Sequence, residues 1–202
     1  MERRIRWSWA ETEEEANDFR AEAKGLVGQS LASVAYFLID YEADDHRKGA
    51  VGPRHISSAT ELADPYWRHP SCDTVDFAVQ LTTAAGQVFT VSWENPGRIE
   101  GIGIREVSAV GHALIETADA AVWDVTSDST WSDLIGGLIE HVHLEYDSWD
   151  EHSSAQWCKE IALRIGGADV SLQLAEGEFG TDRVVPSADN IAVIRQRKGD
   201  QA

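Results

Sequence analysis

The chain repeats itself in order, and that constrains its architecture more than any single residue does. Leu26-Val27-Gly28-Gln29-Ser30-Leu31-Ala32-Ser33-Val34 aligns with Leu134-Ile135-Gly136-Gly137-Leu138-Ile139-Glu140-His141-Val142. An aromatic residue precedes each copy, Phe19 and Trp131, and an acidic-Tyr-acidic triplet follows, Asp40-Tyr41-Glu42 and Glu145-Tyr146-Asp147. Next come Cys72 with Val75, Phe77 and Val79, matched by Cys158 with Ile161, Leu163 and Ile165. Gly101-Ile102-Gly103-Ile104 and Asn190-Ile191-Ala192-Val193 close the two series. Ordered internal similarity of this kind points to two copies of one supersecondary unit.

The periodicity within each copy is that of strands. Leu31 to Tyr41 is an apolar and aromatic run. Val75 to Leu81 and Val88 to Trp93 flank an Ala85-Gly86 turn and read as a hairpin, and Ile102 to Val110 reads as a further strand. The second copy predicts strands over Ile139 to Tyr146, Ile161 to Ile165, Val170 to Leu174 and Ile191 to Ile194, with a Gly166-Gly167 turn and a Gly-rich loop around Gly177 and Gly180. Only residues 12 to 24 read as a helix. Thr12 and Glu15 have capping-box spacing, Ala16, Phe19 and Ala23 fall on one face, and Gly25 is a stop. Trp131 to Leu134 reads as a single turn.

The predicted fold is therefore mainly β: a tandem-duplicated antiparallel sandwich or barrel of about eight strands. It has a pseudo-twofold axis and one N-terminal helix. One domain is expected, made of halves at about 12–110 and 111–202.

Charge narrows the partners. Thirty-five acidic residues against 17 basic ones leave a formal net charge of −18. That argues against nucleic acid and suits either high solubility or a basic protein partner. No run reaches the ~18 apolar residues of a membrane span, and Met1 to Trp7 lacks the apolar centre of a signal peptide. A cytoplasmic protein with two free thiols is the expectation. No phosphate loop, Gly-x-Ser-x-Gly, His-Glu-x-x-His or dinucleotide fingerprint occurs, so no cofactor is expected.

Two groups of residues could carry chemistry. His141, His143 and Glu145 alternate with Val142, Leu144 and Tyr146, which puts two imidazoles and a carboxylate on one strand face. Three ligands of that kind can hold zinc or iron, but a solvated strand face has the same pattern, and no metal is expected there. The second group lies in loops. Residues 43 to 71 and 147 to 157 combine aromatic rings with acids: Tyr66, Trp67 and His69 in one, Trp149, Asp150 and Glu151 in the other. His46, Asp44, Asp45 and Asp64 share the first loop. Rings beside acids are the composition of an interface anchor.

Together these features predict an acidic, non-enzymatic binding protein, most concretely an immunity-type antagonist of a basic toxin or nuclease. The alternative is a cofactor-independent enzyme or small-ligand binder that uses a β-barrel interior lined by Trp, Tyr and His.

Overall fold

In a computed structural model, described here for residues 8–41, 52–58, 61, 68–94, 100–110, 120–148 and 152–196, the chain is mainly β and sandwich-like. Its elements are β1 (Trp9–Ala10), α1 (Glu13–Ala23), β2 (Leu31–Ile39), β3 (Arg54–Ile56), β4 (Asp73–Val75), β5 (Ala78–Thr83) and β6 (Val88–Glu94). They continue with β7 (Gly101–Arg105), β8 (Ala120–Asp124), β9 (Ile139–Ser148), β10 (Gln156–Ile165), β11 (Ala168–Gly177) and β12 (Val184–Gln196).

Two six-stranded sheets result. The first runs β3-β8-β2-β5-β6-β7; the second runs β10-β11-β12-β4, with β9 along the far edge of β10 and β1 beside its start. The apolar alternation of each strand faces the other sheet. Val34, Tyr36, Val79, Leu81, Val91 and Ile104 from the first sheet meet Val142, Leu144, Ile161, Leu163, Leu172 and Val193 from the second in one core.

Both halves form the same four-strand meander, β2-β5-β6-β7 and β9-β10-β11-β12, and in the same register. Val34 pairs Leu81 as Val142 pairs Leu163. Val79 pairs Val91 as Ile161 pairs Leu172. Val91 pairs Ile104 as Leu172 pairs Val193. The segments that lead into the meanders hydrogen-bond to each other reciprocally. Gly28 N donates to Ile139 O at 2.8 Å and Gly136 N to Leu31 O at 2.7 Å; Ile139 N donates to Gln29 O and Leu31 N to Gly137 O. Gly28 and Gly136 hold φ of 86° and 84°, a conformation that costs glycine nothing and other residues a good deal.

Several expectations need correcting. Cys72 and Cys158 are not counterparts: Cys158 lies within β10 opposite Tyr146, whereas Cys72 precedes β4, which leaves the strands of its own half and pairs with β12 in the second sheet. The register makes Val79, not Val75, the counterpart of Ile161. Likewise Leu38, not Tyr41, holds the place of Tyr146; Tyr41 is exposed and Tyr146 half-buried. The run from Val75 to Leu81 is two strands, because the chain changes sheet at Asp76-Phe77, where the Asp76 carboxylate accepts from Ile39 N. The strand from Ile102 stops at Arg105. Among the described residues twelve strands replace about eight, since β1, β3, β4 and β8 are too short or too flanked by polar sequence to show a period.

The helix is where the spacing places it. Thr12 caps it, its Oγ accepting from Glu15 N, and Glu15 reaches back to Glu11 N. Ala16 and Ala23 are buried, and Phe19 packs against the core. Arg20 lies over the Tyr146 ring and donates from Nε to Leu144 O, so the helix covers part of edge strand β9. Thr12→Ala should cost about 1 kcal/mol by urea denaturation, the usual worth of such a cap. No loss would mean that packing on β9 alone holds the helix.

Candidate functional site

Of the loop residues expected to anchor a partner, Tyr66, Trp67, Trp149, Asp150 and Glu151 lie outside the described residues, as do His46, Asp44, Asp45 and Asp64. His69 is described. It is half-buried, its N donates to Cys72 O at 2.9 Å, and its ring lies directly over Gly177, where any side chain would collide with it. This histidine therefore joins the first long loop to the β11–β12 hairpin.

The strand face predicted from His141, His143 and Glu145 is present. Val142 and Leu144 are buried, both histidines are exposed, and their rings stack at 6.4 Å and 23°. Glu145 is held by Lys159 at 3.0 Å, which keeps its carboxyl below the ordinary range. Among the described residues, no three His, Cys, Asp or Glu side chains converge as a metal site would need.

The neighbouring strands turn this face into a depression. Opposite His143 on β10 stands Ala162, and opposite Ala162 on β11 stands Ser171; the next row is His141, Arg164 and Asp169. With a methyl group at its centre and long side chains around it, the sheet surface dips into a hollow of about 600 Å³, lined also by Glu140 and Glu160. Ser171 Oγ donates to Glu160 Oε1 at 2.5 Å and accepts from Gln173 Nε2 at 2.9 Å. Arg164 grips Asp169 with two bonds of 2.7 and 2.8 Å, a fork that lowers the Asp169 pKa and raises that of Arg164. The hollow is thus walled by carboxylates, the His141 imidazole and the Arg164 guanidinium. Sequence reasoning found one wall, on β9, but not the others, because Ala162 and Ser171 carry no signal until the register of β10 and β11 is known.

A second polar cluster is buried between the sheets. Asp73 points inward from β4 and accepts from Tyr36 Oη at 2.8 Å, Thr130 Oγ at 3.0 Å and Arg68 Nε at 3.3 Å. Trp131 Nε1 donates to Tyr36 Oη at 2.7 Å, and Arg68 also reaches Asp128 at 2.5 Å. Burial pushes the Asp73 carboxyl above the usual range despite these donors, and pushes the Tyr36 hydroxyl well up. The Asp73 carboxylate and the Tyr36 hydroxyl are enclosed between the sheets and Arg68 closes the cluster from the surface, which makes it a joint between them. Trp123 and Trp131 are core residues.

Both cysteines are free and buried, and burial raises the Cys158 thiol to about 12. Thiol titration should count two reactive groups in denatured, non-reduced protein and show Cys158 inert in the native state at neutral pH, since the thiolate is the reactive form. Among the described residues, no helix is long and apolar enough to cross a membrane. No protein-family model, curated protein or solved structure matches this chain.

Proposed function

We propose that the protein is an acidic, non-enzymatic binding protein whose partner is a basic protein, in the manner of an immunity-type antagonist. The observation that carries this is the outer stripe of α1. Glu14, Asp18 and Glu22 follow one another at intervals of one helical turn, all exposed, while Arg20 is turned onto β9 and Glu13. Three carboxylates in line on an exposed helix face present negative charge outward, where a cationic surface can meet it. The net charge of −18 extends the same field over the molecule and favours fast encounter with a cationic partner.

The sheet pairings and the reciprocal bonds at Gly28 and Gly136 also support descent of the two meanders from one duplicated unit. The alternative, a ligand inside a barrel, has the packing against it. The described residues form two sheets whose facing sides are filled by side chains such as Trp131, Tyr36, Leu81 and Ile161.

The triple change Glu14→Gln, Asp18→Asn, Glu22→Gln tests the proposal with two readouts. Capture from the native host should lose a basic protein that the unmodified bait retains, with association slowed about tenfold or more at low salt. The variant's melting temperature should hold, because the three changes are nearly isosteric and lie on the exposed face of the helix. Equal capture by both baits, or a partner without basic character, would end this reading. Within the same reading, Trp67→Ala or Trp149→Ala should weaken the captured complex by about 2 kcal/mol, the scale of an interface anchor. A fall in melting temperature with binding intact would instead make these rings part of the fold.

A further inference from the structure

The outer faces of the two sheets occupy corresponding places in the two meanders, and one of them shows what such a face can hold. In the first sheet the row Ala35, Gln80, Thr90 runs across β2, β5 and β6. The chain's own segment from Val107 to Ala109 lies on it. Thr90 Oγ donates to Val107 O at 2.7 Å, and Gln80 Oε1 accepts from Ala109 N at 3.0 Å and Ser108 Oγ at 3.1 Å. The Ala109 methyl then packs into an apolar patch made by Phe37, Ala78, Ala120 and Val122.

The corresponding row of the second sheet is His143, Ala162, Ser171. Ser171 keeps the hydroxyl of Thr90. Ala162 lacks the long amide of Gln80, and the hollow of about 600 Å³ opens where that amide would stand. The neighbouring row changes character. Phe37, Ala78 and Ser92 in the first sheet correspond to Glu145, Glu160 and Gln173 in the second. Where the first sheet seats a methyl group on apolar atoms, the second offers a carboxylate. The cations at its rim already have anionic partners, Arg164 with Asp169 and Lys159 with Glu145.

We propose that this hollow takes a polypeptide segment of the basic partner, seated on the second sheet as Val107 to Ala109 is seated on the first. Ser171 Oγ, whose proton goes to Glu160, accepts from a backbone N–H of the segment, and a lysine or arginine side chain enters over Ala162 to meet Glu160. The inference rests on the reading of the protein as a binder of a basic partner and assigns where that partner docks.

The test uses the full chain, isotopically labelled, and a capped octapeptide of alternating arginine and valine as the probe. Saturable shifts of the Ala162, Ser171 and His143 amides are expected. Ala162→Gln rebuilds the side chain of the filled face, leaves the net charge unchanged, and should weaken binding about tenfold or more, equivalent to about 1.4 kcal/mol. Ala162 is half-buried on the outer face, so the variant should keep the wild-type spectrum elsewhere; Ala162→Leu serves as a second filler of the hollow. Unchanged affinity in both variants, or shifts confined to α1, would overturn the hollow as the docking site while leaving a basic partner in place. A probe that binds nowhere on the protein at low salt would count against both.

Discussion

Asp73→Leu is expected to lower the unfolding free energy by about 3 kcal/mol, the cost of removing one partner from a buried charged network. The carboxylate is 4% exposed and is the acceptor on which Tyr36, Thr130 and Arg68 converge. Leucine would strand the Tyr36 hydroxyl with only the Trp131 N–H, and leave Arg68 with Asp128. Arg68 is partly exposed and keeps that second partner, which holds the figure at the low end of the range for buried pairs.

Asp73→Asn should cost less and carries a pH signature. Burial raises the Asp73 pKa in the folded state, so folding favours the protonated form. That contribution is complete below the ordinary carboxylate pKa of about 3.9 and is lost as pH rises through the folded value. Wild-type stability, measured relative to Asp73→Asn by urea denaturation, should therefore rise from neutral pH toward about pH 4. A difference that stays flat or falls would mean that the three donors, not burial, govern this carboxyl.

The meander pattern is legible in the sequence because each half alternates apolar and polar residues over enough positions to show a period of two. The glycines that precede the two meanders are legible for a related reason: the same backbone turn is needed twice, and Gly28 and Gly136 supply it at matching places. Register is harder. Matching Cys72 to Cys158 slips the alignment of the halves, since a small apolar residue at a strand start resembles many others. The change of sheet at Asp76-Phe77 is invisible to periodicity, because Val75 and Val79 are both inward, but in different sheets.

The hollow illustrates the same limit. His141 and His143 stand out by residue type, whereas Ala162 and Ser171 matter only through what lies across from them. Asp73 is hidden for a further reason. Nothing in Cys72-Asp73-Thr74-Val75 distinguishes an aspartate that faces the core from one that faces water until Ile191 and Val193 set the facing of β4.

Trp131→Ala should be the most damaging single change at this joint, costing about 4 kcal/mol. The ring is fully buried in the core shared by both sheets. Its backbone also ends one turn and begins the next, with Trp131 N donating to Asp128 O and Leu134 N to Trp131 O. Those turns deliver Gly136 and Gly137 to their bonds with Leu31, and so the loss should spread to the reciprocal pairing of the segments that lead into the meanders. Hydrogen exchange would show it: the Leu31 and Ile139 amides, donors to Gly137 and Gln29, should lose protection together in the variant. Trp131→Phe keeps the larger part of the apolar volume but removes the bond to Tyr36 and leaves a small gap, for about 2 kcal/mol. Because Trp131 and Asp73 share Tyr36, Trp131→Phe combined with Asp73→Leu should depart from additivity by at least about 0.5 kcal/mol. Additive costs, or exchange that quickens at Leu31 but not at Ile139, would show that the ring fills space without tying the two halves together.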